Sequence, residues 1–290
     1  MGIDESSARR RELGSELRRL REKAGFQGRD IAKALGWAQS KVSRVETGMR
    51  GSSELEAAIY LATCRVAPDE LKRLLDLHAE IEDGVWVRRH NPRLPDELRS
   101  LVVQETTATA ISSYEPLIVP GLAQTEDYTR AIFRGAGRFA NDDIELRVRA
   151  RMQRQYLTRR PHPPRLRFLI HEQALRLPVG GMRVMHDQLL HLVLLNSLPH
   201  WLVQVIPTRA GARTGAEGAF MLEYSGAKPT VYVELHTAGL FLEQPKDIAA
   251  YREILRRLAE AALNREQSTA ALARLASEYD RPEEDPDGRT

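Results

Sequence analysis

Residues 13–48, LGSELRRLREKAGFQGRDIAKALGWAQSKVSRVETG, decide how the N-terminal part of this chain folds. From Leu13 onward, leucines recur at helical spacing and form one apolar stripe between charged residues. Gly25 follows at the position where a left-handed C-cap ends a helix. The pattern therefore predicts a first helix over residues 12–24 with one buried side.

Two shorter helices joined by a tight turn are predicted next. The second helix is expected over residues 28–35, where Gly36 stops it, and the third over residues 38–46. Val42 and Val45 form the apolar side of the third helix, whereas its outer side is polar. Such a pair of short helices is typical of a helix-turn-helix whose second helix enters the major groove of DNA.

The outer side of the third helix carries residue types that read DNA. Glutamine can donate hydrogen bonds to adenine and accept them from it, and arginine can donate two hydrogen bonds to guanine or to a phosphate. Serine and lysine can reach oxygens of the DNA backbone. The predicted DNA-binding residues, with two flanking arginines included, are Gln39, Ser40, Lys41, Ser43, Arg44, Arg29 and Arg50. A solvated helix face without a ligand is the alternative interpretation.

The distribution of charge favours DNA binding over that alternative. The formal net charge of +3 is only mildly basic. The first fifty residues, however, contain twelve Arg or Lys against seven Asp or Glu, so the positive charge is concentrated at the N-terminus. A local cationic surplus attracts the phosphate backbone of nucleic acids.

The chain is long enough for two domains, because 290 residues exceed the common single-domain size of about 100–200 residues. A fourth and a fifth helix, over residues 53–64 and 69–83, are predicted to complete a mainly helical first domain. Residues rich in proline and arginine follow it and are interpreted as a linker. The predicted boundaries are 1–83 for the five-helix domain, 84–95 for the linker, 96–280 for a second domain that senses and dimerises, and 281–290 for a disordered acidic tail.

The second domain is predicted to have an α+β fold with an antiparallel sheet of about five strands. Residues 110–114 read as a short strand, and apolar and polar residues alternate with a period of two in several later segments. These segments are 165–170, 201–206, 219–224, 230–235 and 239–243. Helices lie before, between and after them, which favours α+β over a doubly wound sheet.

The chain is expected to remain in the cytoplasm. No apolar run reaches the roughly 18 residues that a membrane span needs, and the first twenty residues lack the apolar core of a signal peptide. Cys64 is the single cysteine, so an internal disulfide is impossible, which fits a reducing compartment.

Motifs for catalysis and for metal binding are missing from the sequence. The eight histidines form no HExxH motif or paired His/Cys cluster, and no nucleophile elbow, Walker loop or dinucleotide fingerprint occurs. We therefore expect no enzyme activity, no cofactor and no metal. Aromatic residues of the second domain could line an effector pocket, and the alternative interpretation is that they form a plain hydrophobic core. These residues are Trp201, Phe220, Tyr224, Tyr232 and Phe241.

Residues 13–48 resemble the XRE-type, lambda repressor-like helix-turn-helix. The run QSKVSRVETG at 39–48 matches the pattern Q-S-x-V-S-R-hydrophobic-E-x-G of that family. The resemblance implies that Glu46 and Gly48 shape the turn after the recognition helix. It also implies that the recognition contacts come from Gln39, Ser40, Lys41, Ser43 and Arg44.

The second half resembles the domain of unassigned function that actinobacterial XRE-type regulators carry behind their DNA-binding domain. The matching segments are YEPLIVPGLAQTEDY at 114–128, RMQRQ at 151–155, EQAL at 172–175 and MHDQL at 185–189. The resemblance implies a transcription regulator of actinobacterial type, often encoded beside a small partner protein.

These observations lead to one predicted function and one alternative. The predicted function is a sequence-specific transcription regulator that binds double-stranded DNA as a homodimer on a pseudo-palindromic site. A partner protein or an effector at the C-terminal domain would set its activity. The alternative is an antitoxin-like interaction protein that sequesters a small partner encoded nearby and regulates its own gene.

Overall fold

The computed structural model describes residues 7–79, 85–89, 96–137, 139–211, 218–235 and 238–280. The predicted tail 281–290 and most of the predicted linker 84–95 lie outside these residues. The chain divides into two compact units that do not follow the order of the sequence. The first unit combines the chain up to Thr109 with Met221–Ala250, and the second combines Ala110–Phe220 with the chain from Tyr251 onward.

The described residues form twelve α-helices and seven strands. The helices are α1 Ala8–Lys23, α2 Gly28–Leu35, α3 Gln39–Glu46, α4 Glu54–Thr63, α5 Pro68–Ala79, α6 Asp96–Thr107, α7 Glu126–Gly135, α8 Asn141–Arg154, α9 Glu172–Arg176, α10 Met182–Asn196, α11 Pro245–Ala261 and α12 Arg265–Tyr279. The strands are β1 Val85–Arg89, β2 Ala110–Glu115, β3 Arg165–His171, β4 Trp201–Ile206, β5 Ala219–Glu223, β6 Thr230–Glu234 and β7 Ala238–Leu242. None of the helices among these residues is long and apolar enough to cross a membrane.

The five predicted N-terminal helices are confirmed as α1 to α5. Helix α1 begins at Ala8, earlier than predicted, because the Ser7 hydroxyl caps it by accepting a hydrogen bond from the Arg10 amide at 3.3 Å. Gly36 ends α2 in the left-handed conformation with a φ of 65°. Ala38 precedes α3 without a side-chain cap, since alanine has no acceptor to offer.

One apolar core holds these helices together. The stripe of α1 packs against the inner sides of the other four helices, and helix stability in such a bundle comes mainly from this packing. The core residues are Leu13, Leu17, Leu20, Ile31, Ala32, Val42, Val45, Tyr60, Leu61, Cys64, Leu74 and Leu77. Cys64 is thus buried, as expected for a small apolar side chain.

The first unit also contains an antiparallel sheet that the sequence only partly indicated. Strand β1 pairs with β7, with Val85 opposite Leu242, and β7 pairs with β6. The strand β1 lies inside the range predicted as a linker. Its pairing partner is about 150 residues away in the sequence, so the local pattern carried no sign of it.

The prediction of an antiparallel sheet is wrong for the second unit. There β2, β3 and β4 pair in parallel, in that order. Helices α7 and α8 connect β2 to β3, and α9 and α10 connect β3 to β4. A helical crossover returns the chain to the same end of the sheet, so successive strands run parallel. The α+β class is confirmed, and its strands are mixed in direction.

Candidate nucleic-acid interface

The outer side of α3 presents four of the predicted DNA-binding residues to solvent. Gln39, Ser40, Ser43 and Arg44 are all exposed, while Val42 and Val45 are buried beneath them. The Arg44 guanidinium donates from Nε to the Ser40 carbonyl at 3.2 Å, which keeps the side chain along the helix. The structure thus brings these four residues together on one surface.

Lys41 is placed differently from its neighbours on α3. Its side chain is only 17% exposed and forms an ion pair with Glu56. Its ammonium also lies 4.0 Å from the centre of the Trp37 ring. The hydrogen bond from Lys41 lowers the pKa of Glu56 below its ordinary value. Lys41 therefore connects α3 to α4, and its charge is partly compensated within the fold.

The two flanking arginines lie at the edges of this surface. Arg29, in the first turn of α2, has 79% of its side chain exposed and is 3.7 Å from Asp30. Arg50 is exposed beyond the end of α3, and its backbone amide donates to the Arg44 carbonyl at 3.0 Å. Both guanidinium groups are accessible to a polyanion.

A buried ion pair fixes the inner side of α3, and sequence reasoning missed it. Arg21 donates to both carboxylate oxygens of Glu46, at 2.7 and 2.9 Å, and Tyr60 donates to the same carboxylate at 2.6 Å. Arg21 also donates to the Phe26 carbonyl at 2.7 Å. The hydrogen bond with Glu46 raises the pKa of Arg21, and burial raises the pKa of Tyr60.

Helix α1 touches the C-terminal end of α3 backbone to backbone. A Cβ atom on Gly14 would lie 2.4 Å from the Val45 carbonyl oxygen. Gly48 adopts a φ of 71°, and a Cβ there would lie 2.6 Å from the Arg11 amide nitrogen. Only glycine allows such approaches. These contacts set the position of α3 on the domain.

A second buried polar cluster joins α1 to the sheet of the first unit. We name it the Arg11 cluster; its members are Arg11, Gln104, Tyr224, Thr230 and Glu243. Arg11 donates to Gln104 Oε1 at 2.9 Å and to Thr230 Oγ1 at 3.1 Å, and its guanidinium lies 3.7 Å from the centre of the Tyr224 ring.

Glu243 is the acidic member of the Arg11 cluster. Its Oε1 accepts hydrogen bonds from the Ala8 amide at 2.6 Å and from the Thr230 hydroxyl at 3.0 Å. Burial raises the pKa of this carboxyl above its ordinary value and raises the pKa of Tyr224 to about 12. No sequence signal pointed to the cluster, because its members come from segments more than ninety residues apart.

In the second unit, three of the four segments that resemble the C-terminal family domain, 114–128, 151–155 and 185–189, meet at one short turn, Gly121–Ala123. Gln124 Oε1 accepts from Thr129 at 3.0 Å and from Arg151 at 2.9 Å. The Gln155 and Gln188 side chains donate to the carbonyls of Gln124 and Ala123 at 2.7 and 2.8 Å. These side chains hold the turn in place rather than face solvent.

The aromatic residues considered for an effector pocket belong to both units. Trp201 is buried and packs edge-on against Phe168, with 5.4 Å between ring centres. Tyr232 is buried against Phe241 in the first unit, with 4.8 Å between ring centres. The buried rings of Trp201, Phe168, Tyr232 and Phe241 are therefore core residues. Among the described residues, no group of three or more His, Cys, Asp or Glu side chains is arranged to hold a metal ion.

Two family models match this chain. One, described as a helix-turn-helix domain, matches residues 12–74 and thus covers α1 to α3 and the helices that pack on them. The other, described as a domain of unknown function (DUF5753), matches residues 98–274. Neither a curated protein nor a solved structure matches the chain.

Proposed function

This chain belongs to the family of the domain of unknown function DUF5753, and from that premise we propose that it is a transcription regulator that reads a specific DNA sequence. Its N-terminal helix-turn-helix domain supports DNA binding. One observation carries the proposal: α3 exposes Gln39, Ser40, Ser43 and Arg44 together, while buried contacts fix its other side. We assign the protein no catalytic role.

The exposed residues suit different parts of the DNA. In the proposal, Gln39 pairs with an adenine, and Arg44 with a guanine or a phosphate. Ser40 and Ser43 donate to backbone oxygens. Arg29 and Arg50 contact phosphates at the two edges, and Lys41 adds to the local positive potential beside them. Phosphate contacts fix the register, and base contacts supply the specificity.

The finer features of the proposal follow from the geometry of the motif. Two copies of α3 would enter successive major grooves about 34 Å apart, so the target would be pseudo-palindromic and the protein a homodimer. We propose an XRE-type regulator of actinobacterial origin that acts in the cytoplasm. A partner protein or a small effector that binds the C-terminal domain would set when DNA is bound.

Selection of bound sequences from a random DNA pool, followed by fluorescence anisotropy on the selected site, tests the proposal. We expect the selected site to show sequence preference at moderate salt, where nonspecific contacts weaken. Arg44→Ala should weaken binding to it by about 1–3 kcal/mol. Lys72→Ala is the control, because Lys72 is an exposed cation on α5, outside this surface. Binding without any sequence preference would rule out the proposed function.

A further inference from the structure

Helix α10 of the second unit exposes a ridge of leucines to solvent. Leu190, Leu194 and Leu198 follow one another at four-residue spacing along the helix and just beyond its end. Their exposed fractions are 41%, 67% and 40%. A contiguous exposed apolar patch of this kind marks an interaction surface more often than isolated apolar residues do.

The opposite side of α10 already supplies the packing that holds the helix in place. Met185, Leu189 and Leu192 are fully buried, and Asn196 donates to Thr269 of α12 at 3.0 Å. The ridge therefore contributes little to the folding of its own unit. The outer side of a surface helix is normally polar. The three exposed leucines therefore indicate a surface that another molecule covers.

A further exposed aromatic residue lies on a segment that comes close to the chain after α10. Tyr156, in the short 3-10 helix Gln155–Arg159, is 66% exposed. This segment passes close to the chain just after α10: the Thr158 carbonyl is 3.1 Å from His200 Nε2. The charge of Arg159 is also close enough to His191 to add to the effect of burial, which lowers the pKa of His191.

The charges at the two ends of the ridge are complementary to each other. Near the N-terminal end, Arg183 is exposed, and Asp187 is 57% exposed, with its Oδ1 3.1 Å from His186 Nδ1. Arg159, which directly follows Thr158, lies at the other end, where the carbonyls of Leu194 and Asn196 already accept hydrogen bonds from Ser197 and Arg265. A second α10 in antiparallel orientation would place Asp187 beside Arg159 of the partner subunit.

We propose that a second copy of this chain docks on this ridge, α10 against α10, about a twofold axis near the middle of the helix. Leu190 of each copy then packs on Leu194 of the partner subunit, as in an isologous interface where the same patch serves both subunits. The inference rests on the proposed function to the extent that a pseudo-palindromic target requires a dimer.

The size of the ridge sets the expected strength of the dimer. A helix of fifteen residues is about 22 Å long. A contact of that length buries less than the standard interface of about 1,600 Å². We therefore expect a dimer that dissociates at micromolar concentrations and is completed on DNA, where two half-sites lie next to each other.

Sedimentation velocity of the full chain over a concentration series tests the interface. Leu194→Glu should raise the dimer dissociation constant on the order of 100-fold, because it buries two like charges at the centre. Leu117→Glu is the matched control: Leu117 is 57% exposed in the same unit but lies outside α10. Circular dichroism confirms that both variants fold. An unchanged dissociation constant in Leu194→Glu, or equal loss in both variants, would overturn the proposal.

Charge reversal provides a second and independent test. Asp187→Arg and Arg159→Asp should each weaken the dimer, and the double variant should restore it, since each copy then carries the reversed pair. Failure of the double variant to recover any affinity would overturn the antiparallel arrangement. A wild-type chain that stays monomeric in solution and on DNA would overturn the proposal altogether. The ridge would then be a binding surface for a different protein.

The interface and the DNA-binding function can fail separately. If Leu194→Glu is monomeric yet still prefers the selected sequence in a single half-site, both inferences are supported. If the wild type dimerises through the ridge but binds DNA without sequence preference, the proposed function fails and the interface stands. If the wild type binds its site with no dependence on Leu194, the interface fails and the function stands.

Discussion

Arg21 of α1 and Glu46, the last residue of α3, form a buried two-point ion pair with donor–acceptor distances of 2.7 and 2.9 Å. Both side chains are less than a tenth exposed. The pair connects the first helix of the domain to the end of α3, the helix that we propose to face DNA. It therefore links the stability of the domain to the orientation of the recognition surface.

Removal of one partner of this pair should destabilise the domain strongly. Arg21→Ala leaves the Glu46 carboxylate buried without its cation, which should lower the free energy of unfolding by about 3–5 kcal/mol. Chemical denaturation measures the change. Arg18→Ala is the control, because the Arg18–Glu22 pair is more than half exposed and such pairs contribute about 0–1 kcal/mol. Equal effects of the two substitutions would contradict the importance of the buried pair.

Gly14→Ala should disturb the contact between α1 and α3. The added methyl group would meet the Val45 carbonyl at 2.4 Å, so the helices must move apart, at a cost of about 1–3 kcal/mol. Thermal unfolding and DNA affinity should both decrease. Gly28→Ala is the matched control, because a Cβ at Gly28 would meet nothing within 4 Å. A neutral Gly14→Ala would show that the two helices are free to separate.

Gln104→Leu tests whether the Arg11 cluster supports the DNA-binding domain. The substitution removes the acceptor of Arg11 Nε and the donor to the Ala8 carbonyl, both buried. A buried polar group without a partner costs about 1–3 kcal/mol. Since the backbone of Arg11 also lies against Gly48, two residues after the end of α3, hydrogen exchange of α3 amides should become faster. The exposed Gln153→Leu on α8 serves as control, and unchanged exchange in Gln104→Leu would argue against this support.

The stability of the first unit should depend on pH through Glu243. Burial raises the pKa of this carboxyl in the folded protein above its ordinary value of 4.5. The stabilising effect of its protonated form is therefore complete below pH 4.5 and is lost as the pH rises through the higher folded-state pKa. Relative to Glu243→Gln, which cannot ionise, the wild type should lose stability with rising pH, by at most about 1.4 kcal/mol per pH unit. Urea unfolding from pH 4 upward, with the exposed Glu234→Gln as control, measures this slope, and the opposite slope would refute the assignment.

The salt dependence of DNA binding should separate the cations of the interface. Arg29→Ala and Arg50→Ala should each reduce the slope of log K against log salt by about 1, because each removes one exposed phosphate contact. Lys41→Ala should reduce it less, since Lys41 is already paired with Glu56, and should mainly lower stability by up to about 1 kcal/mol. Equal slopes for Arg29→Ala and the wild type would remove Arg29 from the interface.

The sequence by itself determined the positions of α2 and α3 and which side of α3 faces solvent. Those features depend on local signals, namely the spacing of Val42 and Val45 and the left-handed turn at Gly36, which act within a few residues. The same local rules placed most strands correctly. They could not assign their direction, because parallel pairing depends on how the intervening helices return the chain.

Only the tertiary structure decided what holds α3 in place. Glu46 meets Arg21 across 25 positions of sequence, and Arg11 meets Gln104 and Thr230 across 93 and 219 positions. Lys41 likewise points toward Glu56 rather than outward, because it forms an ion pair with the Glu56 carboxylate in the first turn of α4. Charged and polar side chains carry no periodic signal for such partners. Their roles were fixed when the fold brought them together and removed them from water, where an unpaired charge is costly.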